Sequence, residues 1–230
     1  MTTSQGGKPQ TFVDQIALLR QGEHLCSVYR ETGEMLTQAI PYIKAGLANG
    51  ERCIYVADEN SKDTLIGALM MWRVDAHLEM AKERLVFWTR EEYRQPGRFD
   101  LNTMAAFVRR TLERALRDGH SGIRLAVEMS WTIDNGVTDD DLVRWEDFIN
   151  TISFAGSNVS FLCQYNSNLL SSSLMTKAVH VHPVVVLGNN IFPNRHYRPA
   201  TEVLTAVEHA TLESLLTEIK SSAAIGQAGL

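Results

Sequence analysis

Short apolar runs of strand length recur along this chain, each separated from the next by a segment with helical spacing. They are His24–Tyr29, Arg52–Ala57, Leu85–Thr89, Ile123–Glu128, Asn158–Cys163 and Pro183–Leu187. Between them, Met35, Leu36, Ala39, Ile40, Ile43 and Leu47 mark a helix over 34–48, stopped by Asn49-Gly50. Leu65, Ile66, Leu69 and Met70 mark a second, capped by Ser61. Met104, Phe107, Val108, Leu112 and Leu116 predict a third over 101–118, and Leu142, Val143, Trp145, Phe148, Ile149 and Ile152 a fourth over 139–153. Shorter helices are expected over 12–19 and 171–181, and one continuous polar-rich helix over 201–222. Near-continuous apolar strands are buried on both faces. Their alternation with helices predicts right-handed crossovers and a three-layer α/β fold with a mainly parallel central sheet. Such sheets bind ligands at the carboxyl ends of their strands. The candidate words are therefore Tyr29–Gly33, Asp58–Asn60, Thr89–Phe99, Glu128–Trp131 and Gln164–Asn166.

The first strand and its turn, Glu23 to Glu34, stand where a nucleotide's phosphates would be gripped. A phosphate loop needs several glycines, a lysine and a Ser or Thr after it. This stretch has Gly33 alone and no lysine, and offers His24, Cys26, Tyr29 and Glu31 instead. Ser130 lacks the glycines of a nucleophile elbow, and no hydrolase triad is legible.

With 230 residues, the chain is long enough to bury a substantial core without covalent staples. Its formal net charge of −5 and the absence of a long basic run argue against a nucleic-acid surface; Arg109, Arg110, Arg114 and Arg117 read as a solvated helix face. Three cysteines without close spacing argue against a disulfide framework. No signal-peptide core precedes the fold, and no run approaches the ~18 apolar residues of a membrane span. A cytoplasmic location is the expectation.

Taken in order, HLCSVY, GERCIYVADEN, EEYRQPGRFD, GIRLAVEMSW, FLCQYN and HPVVVLGNNIFPNRHY resemble the MEDS domain, a sensory domain named for methanogens, methylotrophs and a dichloromethane-responsive repressor. The resemblance covers roughly residues 20–200. It implies a RecA-like fold that has lost its phosphate loop, a role in sensing simple hydrocarbon derivatives, and an output through a DNA-binding, kinase or anti-sigma partner. It also implies that residues 29–38 replace the phosphate loop, that Asp58-Glu59 fall where ATPase relatives keep a carboxylate pair, and that Glu128 ends the strand of the Walker B acid.

The ligand-contact candidates are Tyr29, Glu31, Asp58, Glu59, Tyr93, Arg98, Phe99, Glu128, Trp131, Gln164 and Tyr165. Asp58 and Glu59 could hold Mg²⁺, but helix N-terminal acids beside the Ser61 cap are the simpler reading. Glu128 either contacts a ligand or pairs with Arg98 or Arg124 at the rim. Tyr93, Phe99, Trp131 and Tyr165, placed in loops at one sheet edge, would form an apolar lid over a small-molecule site. His24 and Cys26 share a strand face, and with Cys163 and His180 or His182 could form a metal or haem-type site. The spacing matches no standard zinc pattern, so partly buried strand residues and a free thiol are the simpler reading there, and no cofactor is firmly implied.

These readings lead to a non-catalytic sensory domain over 20–200. Residues 1–19 are a flexible segment with a lead-in helix, and 201–230 a helix and tail that could join a partner or a second subunit. The alternatives are a RecA-like ATPase with an atypical phosphate grip, separable by a Mg·ATP titration, and a ligand-free protein-interaction regulator.

Overall fold

The computed structural model describes residues 11–94, 99–133, 136–154, 158–206, 210–222 and 224–225. Among them, β1 (His24–Tyr29), β2 (Arg52–Ala57), β3 (Leu85–Thr89), β4 (Ile123–Glu128), β5 (Val159–Asn166), β6 (Val184–Leu187) and β7 (Asn190–Pro193) form one sheet in the order β3-β2-β4-β5-β1-β6-β7. All neighbours are parallel except the edge strand β7, which runs antiparallel to β6. Every residue of β1, β4, β5 and β6 is buried, as strands covered on both faces require.

One face is covered by α1 (Phe12–Leu18), α2 (Thr32–Ala48), α3 (Lys62–Met71) and α4 (Ala76–Ala81), whose apolar side chains pack with Leu25, Tyr55, Ala126 and Leu162. The other is covered by α6 (Leu101–Arg117), α7 (Asp139–Phe154), α8 (Ser172–His180) and α10 (Leu212–Lys220), packed on Cys26, Ile54, Val127 and Cys163. The expected three-layer α/β fold is therefore present.

Local chemistry sets the helix ends. Ser61 Oγ accepts from Thr64 N at 3.2 Å to start α3, and Asp100 from Thr103 N at 2.8 Å to start α6. Gly50, at φ +76°, closes α2 in the left-handed conformation. Gly46 lets α2 lie close on the sheet: a Cβ there would stand 2.6 Å from Arg124 Cδ and Cys53 Sγ. No helix among the described residues is long and apolar enough to cross a membrane.

Four local expectations change. The helix expected over 201–222 is two pieces, α9 (Ala200–Thr205) and α10, with residues 207–209 outside the described set. Ala206 is extended and Thr211 starts a new helix by accepting from Ser214 N. The two pieces also bury different residues: Val203 packs with Val143 and Val181, whereas Leu215 and Ile219 join the main core. Second, the segment after β3 begins with a short helix, α5 (Arg90–Arg94), and third, the stretch after Gly188 supplies β7. Fourth, β5 runs on to Asn166, so Gln164 and Tyr165 are strand residues rather than loop residues.

Candidate functional site

The carboxyl ends of β1, β2, β4 and β5 meet at one edge, and Glu128 at the end of β4 organises it. This carboxylate is fully buried and accepts five hydrogen bonds. Three come from the backbone N–H groups of Asp58 (2.8 Å), Glu59 (2.5 Å) and Asn60 (3.1 Å), one from Tyr55 Oη (2.8 Å) and one from Asn60 Nδ2 (2.9 Å). Burial pushes the Glu128 carboxyl above the usual carboxylate range, and these donors draw it back down. Glu128 thus binds the β2–α3 turn. Arg124, expected as a partner at the rim, points to the other end of the sheet, where it forms a buried pair with Glu51 and stacks on Tyr42, 4.6 Å from the ring centroid. Arg98 lies outside the described residues.

The acids on that turn have partners of their own. Asp58 forms a two-pronged ion pair with Arg90, with Nη2 to Oδ2 at 2.7 Å. Glu59 accepts from Tyr29 Oη at 3.0 Å and from Asn166 Nδ2 at 2.5 Å, which ties β1, β5 and the β2–α3 turn together. Burial, with Glu59 and Glu128 nearby, pushes the Tyr29 phenol well up, so it serves as a donor. Glu31 is exposed and precedes α2 without capping it through its side chain. Gln164 is buried at the same level, and neither of its amide atoms is hydrogen-bonded among the described residues.

Three of the four aromatics expected as a lid do meet, but inside the molecule. Tyr93 on α5 packs edge-on to Trp131 (5.7 Å between centroids) and Trp145 (6.3 Å), and Phe99 lies 6.0 Å from Trp131. Tyr93 and Trp131 are fully buried. Met129–Thr132 forms a 3₁₀ turn that directs Trp131 into this layer. Tyr165, also buried, belongs to a neighbouring polar cluster, where its hydroxyl donates to Glu146 Oε1 at 2.7 Å.

That cluster joins His24, Cys163 and His182, three of the five metal candidates, with Glu146, which was not among them. Burial lowers the His24 pKa; burial alone would raise that of Glu146, but His182 and His24 hold its carboxyl well below the usual range. Cys26 pairs with Cys163 in register yet contributes no atom to the cluster, and His180 turns away to His196 O at 2.9 Å. Glu146 did leave a signal. It falls three residues after Val143 and three before Ile149, an acid on the apolar face of its helix. Arg90 and Asn166 fall within the candidate words Thr89–Phe99 and Gln164–Asn166 without being singled out as contact residues, and Asn150 carries no comparable pattern.

An open cleft of about 680 Å³ begins beside Tyr29. Val28, Tyr29 and Leu187 from the ends of β1 and β6 form its floor, and Met175 of α8 forms one side. Leu212, Leu216 and Lys220 of α10 form the other. Asp58 lines a separate cleft with Trp88 and Arg90. Of the ten expected contact residues that are described, Tyr29 alone lines the cleft against α10.

The profile of the MEDS family, the MEthanogen/methylotroph, DcmR Sensory domain, matches residues 23–183. The chain is also 23% identical over 161 residues to the "Transcriptional repressor DcmR" of Methylorubrum extorquens (strain DSM 6343 / CIP 106787 / DM4). The match covers 70% of this chain and 58% of that repressor, so the chain spans less than two thirds of the relative's length. The family profile covers the five parallel strands β1 to β5 with the helices between them and stops just before β6, and on that match the chain belongs to the MEDS family of sensory domains.

Proposed function

We propose that the chain is a non-catalytic sensor that takes a small, largely apolar molecule into the cleft between the sheet edge and α10, and reports occupancy through α10 to a regulatory partner. The observation that carries this is the cleft's construction. Its floor belongs to the rigid parallel sheet, and its opposite wall is a nine-residue helix held by Leu215 and Ile219. A ligand that touches both stabilises one position of that helix, and a differential affinity of this kind is what a switch requires. A volume near 680 Å³ falls in the range of small-molecule pockets, and its mixed lining, apolar at Val28, Met175, Leu187 and Leu216 and charged at Glu34 and Lys220, suits a small hydrocarbon derivative that carries a polar group. The non-catalytic reading is supported by Glu128, whose oxygens are taken up by the β2–α3 turn, and by the lysine-free β1–α2 turn. The partner proposed is a transcription-regulating module, by analogy with the repressor relative. A cytoplasmic location accords with that role.

The test is ligand-observed NMR and thermal unfolding with a panel of short haloalkanes and alcohols, on the wild type and on Leu216→Trp, which fills the cleft. A ligand at about 100 times its Kd adds about 2.7 kcal/mol, a rise of roughly 5–10 °C for a chain of this size. Leu216→Trp should abolish the rise. Binding unaffected by Leu216→Trp, or a magnesium-dependent shift with ATP, would reject the reading in favour of another site or of a nucleotide-binding protein.

A further inference from the structure

His24 at the start of β1, Cys163 in β5, Glu146 in α7 and His182 just after α8 converge inside the fold, on the sheet face that α7 covers. All four are buried, and their donor atoms lie within 4.8 Å of one another. His24 Nε2 is 3.0 Å from Glu146 Oε2, and His182 Nε2 is 3.4 Å from the same oxygen. Cys163 Sγ is 3.5 Å from both His24 Nε2 and Glu146 Oε2.

The surrounding hydrogen bonds decide which atoms face the centre. His24 Nδ1 lies 2.8 Å from Asn150 Oδ1, and the amide of Asn150 is oriented because its Nδ2 donates to Val181 O at 2.7 Å. His182 Nδ1 lies 2.7 Å from Ala178 O. These oxygens only accept, so each Nδ1 carries a hydrogen. In neutral imidazoles each Nε2 then turns a lone pair toward the Glu146 carboxylate. His182 Nε2 makes no hydrogen bond among the described residues. Two lone pairs and a carboxylate facing one another at these distances repel unless a positive charge sits among them.

We propose that this cluster binds one Zn²⁺ as a closed structural site, through His24 Nε2, His182 Nε2, Cys163 Sγ and Glu146 Oε2. Around tetrahedral zinc, nitrogen and oxygen donors stand about 3.3 Å apart, and sulfur about 3.6 Å from either. The four separations above lie close to those values. With a thiolate, a carboxylate and two neutral imidazoles the site has no net charge, which suits a fully buried position. Three of the four ligands also have an outer partner that fixes them: Asn150 for His24, the Ala178 carbonyl for His182, and Tyr165 for Glu146, whose Oε1 is thereby occupied. Four protein donors leave no position open, the arrangement of structural rather than catalytic zinc. The ion would pin α7 and the end of α8 to the middle of the sheet. Because Met175 of α8 lines the cleft beside α10, the ion would also fix one wall of that cleft. All the donors lie within 4.8 Å of one another, a space for an ion and not for a macrocycle.

The experiment is elemental analysis of the full chain, purified without a polyhistidine tag, with spectra of protein produced in cobalt(II)-supplemented medium. The expected result is one zinc per chain, and in the cobalt form the intense visible bands of a tetrahedral site with a thiolate-to-cobalt charge-transfer band. Cys163→Ser should remove the charge-transfer band, His182→Ala should remove most of the metal, and Cys26→Ser should change neither. Where the first two variants fail to fold, the wild-type cobalt spectrum together with Cys26→Ser decides. Wild-type protein with only trace metal and no cobalt spectrum overturns the proposal, leaving a proton as the charge in the cluster. Stoichiometric copper or iron overturns the assignment to zinc, and a charge-transfer band lost in Cys26→Ser overturns the ligand set.

Discussion

Replacing Glu128 by alanine tests the idea that this carboxylate is the keystone of the sheet edge. Five hydrogen bonds converge on it, and bonds to an ionised group contribute about 1.5–3 kcal/mol each. Their sum would rival the ~5–15 kcal/mol stability of a whole domain, so the cost depends on which donors water can reach once the side chain is gone. Glu59 is exposed and Asp58 and Asn60 are half-buried, so their N–H groups become hydrated; each loses a net ~1 kcal/mol. The Tyr55 hydroxyl belongs to a residue only 2% exposed and keeps just a weak acceptor, Met35 Sδ at 3.1 Å, for about 1–2 kcal/mol more. The expected loss is about 4–5 kcal/mol, read as a fall of roughly 1.5 M in the urea midpoint with the slope unchanged. Glu128→Gln keeps the shape but turns an amide N–H₂ toward donors, and should lose about half as much. Hydrogen exchange at Asp58, Glu59 and Asn60 should quicken in both variants. An alanine variant within ~1 kcal/mol of wild type, or unchanged exchange on that turn, would refute the reasoning.

Other consequences follow from the packing around it. Glu51→Gln leaves the buried Arg124 guanidinium without its carboxylate and should cost about 3–5 kcal/mol in chemical denaturation; combining it with Arg124→Met should restore more than half. Gly46→Ala forces a methyl group against Arg124 and Cys53, and because Glu51 pins Arg124, a loss of about 2 kcal/mol is expected in the same assay. Burial pushes the thiols of Cys26 and Cys53 well above the usual range, so neither should be alkylated by iodoacetamide in the native protein at pH 8, whereas both should react after unfolding, as peptide mass spectrometry will report.

The strand runs, the helix faces, the Ser61 cap and the Asn49-Gly50 stop were all legible in the sequence, because each depends on neighbours a few residues away. So were the family words and the absence of a phosphate loop. Three of the four members of the buried cluster were among the metal candidates, although the sequence did not say which candidates would meet. The position of Glu146 on an apolar helix face was the one legible hint of the fourth. The split between α9 and α10 was not legible, since each half keeps helical composition and only their separate packing partners break it.

By itself, then, the sequence determined the class of fold, the edge of the sheet at which polar residues gather, and the want of a phosphate grip there. Only the tertiary structure decided how those residues are used. The strand order β3-β2-β4-β5-β1-β6-β7 sets β4 beside β2, so Glu128 reaches the β2–α3 turn, and places β1 beside β5, so His24 approaches Cys163. The physical reason is range. Periodicity and capping are local, whereas the partner of a buried charge is chosen by strands and helices far apart in the chain, where an unpaired group is too costly to leave.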